Sequence, residues 1–148
     1  MIKWFFNLLS SRKQISDIYK IKVEFDIPKL LNLDIDVIRK LIGHPIDEYL
    51  EPKAKDKKEW KENWIGDSFY SNDYTHDFFI NVGFNTISRK VNFIYISENN
   101  CDRVTADRLL KAGNLQEDNS QYIIDYKMAG VKNDILTGLE IRKAHPNP

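Results

Sequence analysis

The residues best suited to chemistry lie close together, in Asp73-Tyr-Thr-His-Asp77, with Asp67 a little upstream. Two carboxylates beside a histidine can share a divalent ion or relay a proton, which is the equipment of a small metal-dependent hydrolase or nuclease. No second ligand set recurs elsewhere in the chain, and an ordinary polar loop would have the same composition. Asp73, His76 and Asp77 therefore stand as candidates only, and neither a metal nor any other cofactor is expected. His44 follows a helix stop, where it can cap carbonyls, and His145 sits near the C-terminus. Neither has a nucleophile beside it in the sequence. Cys101 is the one cysteine, which excludes an intrachain disulfide and a multi-cysteine zinc site. It has no histidine next to it to activate the thiol. The six glycines are scattered, so there is no phosphate-cradling loop. No catalytic residue is assigned.

Any such site must be positioned by a chain of 148 residues, the length of one domain, and the boundary is drawn at 1–148. A chain of this size buries roughly 70% of its unfolded surface and needs no covalent staples. Lys plus Arg balances Asp plus Glu at 22 each, so bulk charge gives no support to nucleic-acid or acidic-lipid binding. The longest stretch without a charged residue, Phe78–Ser88, is far too short to cross a membrane. Met1–Leu9 begins like a signal peptide but has a short apolar core and no small-residue cleavage pattern after it. With a single cysteine, a cytoplasmic location is expected. The excess of isoleucine, lysine and asparagine over alanine is expected of an AT-rich bacterial or phage genome.

Residues 2–12 repeat apolar side chains at helical spacing and are expected to form an amphipathic helix over roughly 1–13. Its bland role is to dock on the core, and its sharper role is to lie on a membrane surface. Tyr19–Ile27 alternates apolar and charged residues and reads as a strand ended by Pro28. Asp34–Ile42 reads as a helix whose N-terminal amides the Asp34 carboxylate can cap. Val37, Ile38, Leu41 and Ile42 share its apolar face. Gly43 offers a left-handed stop, and Pro45 forbids continuation. Glu51–Glu62 is a mixed-charge run, best read as a solvated face, and Trp60 within it and Trp64 just beyond it read as core anchors. Asp77–Asn85 and Lys90–Ser97 form an expected hairpin, Thr105–Ala112 a helix stopped by Gly113, Gln121–Met128 and Leu136–Arg142 two further strands. Residues 144–148 are an expected frayed tail. Helices do not alternate regularly with strands. The fold class expected is therefore α+β: one antiparallel sheet of five to six strands with two or three short helices on one face. Helix–Gly–strand–strand occurs twice, which suggests a duplicated module.

Leu30-Leu-Asn-Leu-Asp-Ile-Asp-Val-Ile-Arg-Lys-Leu-Ile-Gly-His-Pro45, followed by Glu59-Trp60, resembles a known pattern. It is similar to the helix-then-sheet modules of the outer-membrane barrel-assembly lipoproteins and the β-lactamase inhibitory proteins. The resemblance covers about residues 28–97 and implies a protein-binding, non-catalytic role. This chain departs from it in lacking paired cysteines and a lipidated cysteine.

A non-enzymatic protein-interaction module of inhibitor, immunity or assembly-accessory type is the function expected, with a protein partner and neither nucleic acid nor membrane. The alternatives are the hydrolase or nuclease at Asp73, His76 and Asp77, and a membrane-surface protein held by residues 1–13. Pairing Phe84 with Val91, Val82 with Phe93 and Ile80 with Tyr95 makes one wholly apolar hairpin face, the expected core side. Phe79, Ile94 and Ile96 then gather on the opposite face, where they need cover from Ile2–Leu9 or from a partner. In the second case these three residues are the partner-binding site.

Overall fold

The computed structural model describes residues 20–45, 64–99, 101 and 103–145, without the side chains of Trp64 and Ile65. The helix expected near the N-terminus, the Glu51–Glu62 run, Trp60 and the last three residues lie outside that set. After a helical Lys20, the first elements among the described residues are helices α1 (Ile27–Leu30) and α2 (Ile35–Ile42). Strands β1 (Trp64–Phe69), β2 (Phe78–Asn85) and β3 (Val91–Glu98) follow, then helix α3 (Ala106–Ala112) and strands β4 (Tyr122–Ala129) and β5 (Ile135–Lys143). The strands form one open antiparallel sheet in the order β1-β2-β3-β5-β4, which is the α+β architecture expected. Side chains from the helices and from one face of the sheet form a single buried cluster built on Ile27, Ile38, Ile80, Phe84, Leu109 and Ile141.

The alternation of Tyr19–Ile27 does not make a strand. Residues 21–26 have no ladder partner, and Pro28 opens helix α1 instead of ending a strand. The Glu24 and Phe25 amides both donate to Ala112 O at the end of α3, at 2.9 and 3.0 Å. Alternation selects which residues point inward, and Phe25 and Ile27 are buried. Pairing needs a free sheet edge alongside, and here the neighbour is a helix terminus.

Helix α2 stops where expected but is held differently. The Asp34 carboxylate makes no capping bond; Asp34 instead bridges Lys90, and the Ile35 amide donates to Arg89 O at 2.9 Å. The β2–β3 loop thus satisfies the first turn. Ile35 and Ile38 face the core, whereas Val37 and Leu41 are exposed, so the buried stripe is rotated from the expected face. Gly43 lies at φ +111°, ψ −170°, a positive-φ extended conformation open essentially to glycine, and not the compact left-handed turn expected. Pro45 beyond it is buried. Gly113, in contrast, ends α3 in right-handed conformation at φ −87°, and Asn114 takes the positive φ. Glycine suits position 113 because a Cβ would lie 2.9 Å from Ile27 Cδ1 and Leu115 Cδ1.

The β2–β3 hairpin departs from the expected pairing by one residue. Asn85 does oppose Lys90, with the Asn85 amide donating to Lys90 O at 3.0 Å, and Phe84 does oppose Val91. Gly83 then opposes Phe93, so Asn92 is an extra residue in a β-bulge. From there on Val82 meets Ile94 and Ile80 meets Ile96. A slip of one residue exchanges the faces of a strand. Ile94 and Ile96 are consequently buried in the core, and Phe93 and Tyr95 occupy the face away from the helices. The patch of Phe79, Ile94 and Ile96 does not form. Phe79 alone remains on the outer face, with its ring 6.2 Å from that of Tyr95.

Candidate functional site

The Asp73–Asp77 loop is a folded turn. The Asp73 carboxylate accepts from the Thr75 amide at 3.0 Å and from the Thr75 hydroxyl at 2.6 Å, and its second oxygen lies 2.9 Å from His76 Nδ1. The Thr75 bonds above all, then His76, hold the Asp73 carboxyl below the usual range. The His76 ring stacks on Tyr70 at 3.9 Å. Behind the turn, the Asn99 side-chain amide donates to the carbonyls of Tyr70, Asp73 and His76, at 2.7, 3.2 and 2.9 Å. Asp77 belongs elsewhere: it lines a shallow cleft with Lys20, Lys22, Glu24 and Arg108. The structure therefore joins Asp73 to His76 and separates Asp77 from them. Among the described residues, no group of three or more His, Cys, Asp or Glu is arranged to hold a metal ion.

Asp67 is not part of that loop either. It is buried on the core side of β1 and receives a two-pronged bond from Arg39 of α2, with Nε at 2.6 Å and Nη2 at 3.0 Å. Arg89 grips Asp36 in the same way, at 3.0 and 2.7 Å, and this pairing holds the Asp36 carboxyl below its ordinary value. Both guanidinium groups lie over the Phe84 ring, 5.5 and 5.3 Å from its centre. Together they clasp α2 to the sheet. One sign was available beforehand: an aspartate at 67 stands in strand phase with Phe69, where an inward apolar residue belongs.

Cys101 bonds Arg103 O at 2.8 Å, and partial burial pushes its thiol above the ordinary value, which leaves it a poor nucleophile.

The apolar surface of the described residues concentrates on the β4–β5 hairpin. Of ten exposed large hydrophobic side chains, five lie there: Val131 (106%), Ile135 (57%), Ile123 (54%), Met128 (42%) and Tyr126 (40%). The turn at the tip of the hairpin has Gly130 at φ +90° and Asn133 at φ +49°, as the Gly130 and Asn133-Asp134 signals led one to expect. Between that tip and the start of α3 runs an open groove of about 710 Å³. Val104, Ala106, Met128, Ile135 and Leu136 supply its apolar lining, with Arg103, Thr105 and Asp134 at the polar positions. The sequence identified both strands and the turn but gave no indication of this groove, because it depends on where α3 ends up.

No helix among the described residues is long and apolar enough to cross a membrane. No protein-family model, curated protein or solved structure matches this chain.

Proposed function

We propose that this chain is a non-enzymatic protein-interaction module of inhibitor, immunity or assembly-accessory type. It docks an apolar segment of a partner protein in the groove between the β4–β5 tip and α3. The observation that carries this reading is the groove lined by the exposed Met128 and Ile135, with the exposed Val131 in the turn that joins their strands. Contiguous exposed apolar surface rimmed by polar residues marks binding sites on proteins. The resemblance of residues 28–97 to protein-binding helix-then-sheet modules supports the same reading. A single cysteine suits a reducing, cytoplasmic setting.

The test is site-specific photocrosslinking in cells, with the reactive residue at Val131 or, as an exposed control, at Tyr74. A discrete protein adduct should form from position 131 and not from 74, and the double change Met128→Ser, Ile135→Ser should abolish it. Equal labelling from both positions sinks the proposal. So does a hydrolase or nuclease activity, or micromolar zinc or manganese binding, that His76→Ala removes. Either of those results would shift the reading to the Asp73–His76 pair.

A further inference from the structure

Strand β4 ends the sheet, and among the described residues no strand pairs with its outer side. It is eight residues long, contains neither glycine nor proline, and is regular throughout. The irregularity it shares with β5 lies on β5: Lys127 opposes Gly138 and Met128 opposes Leu136, so Thr137 is the extra residue. The Ala144 amide donates to Gln121 O at 3.0 Å, which sets the phase of the ladder. Antiparallel pairing alternates bonded and non-bonded positions. Ile123, Asp125 and Lys127 therefore bond inward to β5, and Tyr122, Ile124 and Tyr126 turn their N–H and C=O groups outward. An unpaired edge of this kind is a template for another strand.

We infer that the occupant is a second copy of this chain, paired antiparallel through β4 about a two-fold axis at Tyr126. This inference goes beyond the function proposed above and rests on the backbone edge, not on the groove. Its support is the self-complementary sequence of the strand. With the axis at Tyr126, Asp125 meets Lys127 of the second copy, and the reciprocal pair repeats the contact. Ile124 meets Met128 of the second copy and Ile123 meets Ala129, so apolar residues also face apolar residues. Moving the axis to Ile124 sets Asp125 against Ile123 and Lys127 against Gln121. Moving it to Met128 sets Asp125 against Val131 and Lys127 against Ala129. Only the Tyr126 axis pairs both charges, and charges opposite one another across strands select register. Both side chains are accessible on the monomer, at 57% exposure for Asp125 and 39% for Lys127, where they lie 3.9 Å apart in a loose ion pair that the second copy would replace. Edge strand β1 has no such code: Asp67 is its one charged residue, and it is buried against Arg39.

Sedimentation equilibrium on the full chain tests the pairing. The wild type should show a concentration-dependent monomer–dimer equilibrium. Asp125→Lys sets lysine against lysine, and Lys127→Asp sets aspartate against aspartate. Each variant should weaken the dimer by roughly tenfold or more, since two repulsive contacts replace two attractive ones. Mixing the two variants should restore dimerisation, because every cross-strand pair is again of opposite sign. Loss of the ion pairs within one chain, Lys127–Glu140 at 3.3 Å and Lys127–Asp125 at 3.9 Å, cannot produce that rescue. Amide hydrogen exchange gives a second readout that needs no substitution: Ile124 and Tyr126 should exchange more slowly as concentration rises. A wild type that stays monomeric, charge variants that dimerise like the wild type, a mixture that fails to recover, or exchange independent of concentration overturns the inference.

Discussion

The two hairpins of the sheet are built from similar material and have opposite fates. In β2–β3 the apolar residues Ile80, Val82, Phe84, Ile94 and Ile96 are all fully buried. In β4–β5, Leu139 and Ile141 are buried, while Ile123, Tyr126, Met128 and Ile135 remain in contact with water. Each hairpin contains one register irregularity, Asn92 in the first and Thr137 in the second. Apolar content and strand regularity therefore do not decide burial. Position in the sheet does: β2 and β3 have a neighbour on each side, whereas β4 is an edge and β5 meets β3 only over Leu139–Arg142, which leaves Ile135 with a single neighbouring strand. A strand needs both a covered face and two neighbours to disappear from solvent, and an edge strand left partly uncovered is available for partners.

Truncating one isoleucine in each hairpin has the largest expected effect. Ile94→Ala should cost about 3–4 kcal/mol in urea unfolding, the range for emptying a tightly packed core position. Ile135→Ala should stay within about 0.5 kcal/mol, as exposed substitutions do. Similar losses at both positions would mean that the second hairpin is as enclosed as the first.

A smaller effect is expected at the bulge. Deleting Asn92 joins Val91 to Phe93 and leaves a regular ladder in which Gly83 still meets Phe93 and Val82 still meets Ile94. The chain should fold with a loss of about 1 kcal/mol, an ordinary mutational cost. Unfolding on deletion would show that Asn92 is needed for more than absorbing one residue of register.

The smallest effect belongs to the edge strand. The Tyr126 hydroxyl donates to the Glu117 carboxylate, and this bond, with partial burial, pushes the phenol up to about 12. A tyrosine in an unfolded chain ionises near ~10. Its folded value is raised, so its contribution to stability is complete below pH ~10 and is lost as pH rises toward about 12. Spectrophotometric titration, with Tyr126→Phe as the difference reference, should find this group ionising late. Glu117→Gln should bring it back toward the ordinary value. A Tyr126 that already ionises at the ordinary value in the wild type would show that the hydroxyl is not tied to Glu117.

Much of the local structure is written in the chain. The helix over Ile35–Ile42 and its stop at Gly43, the helix ending at Ala112, the turn at Gly130 and the strands on either side of each hairpin follow from periodicity and turn residues, which act over a few neighbours. One antiparallel sheet with helices also follows, because the order of elements leaves no regular strand–helix alternation. Tertiary structure decided the rest. The extra residue at Asn92 exchanged the faces of β3 and moved Ile94 and Ile96 into the core, since side-chain facing has period two and one bulge reverses it. The alternation of Tyr19–Ile27 found a helix terminus beside it and no strand to pair with. Asp73 and His76 met as their spacing suggested, but Asp67 turned to Arg39, a partner from a distant helix. The groove at the β4–β5 tip joins residues of α3 and the hairpin that are far apart in the chain, and no local pattern specifies how two such elements come to rest against each other.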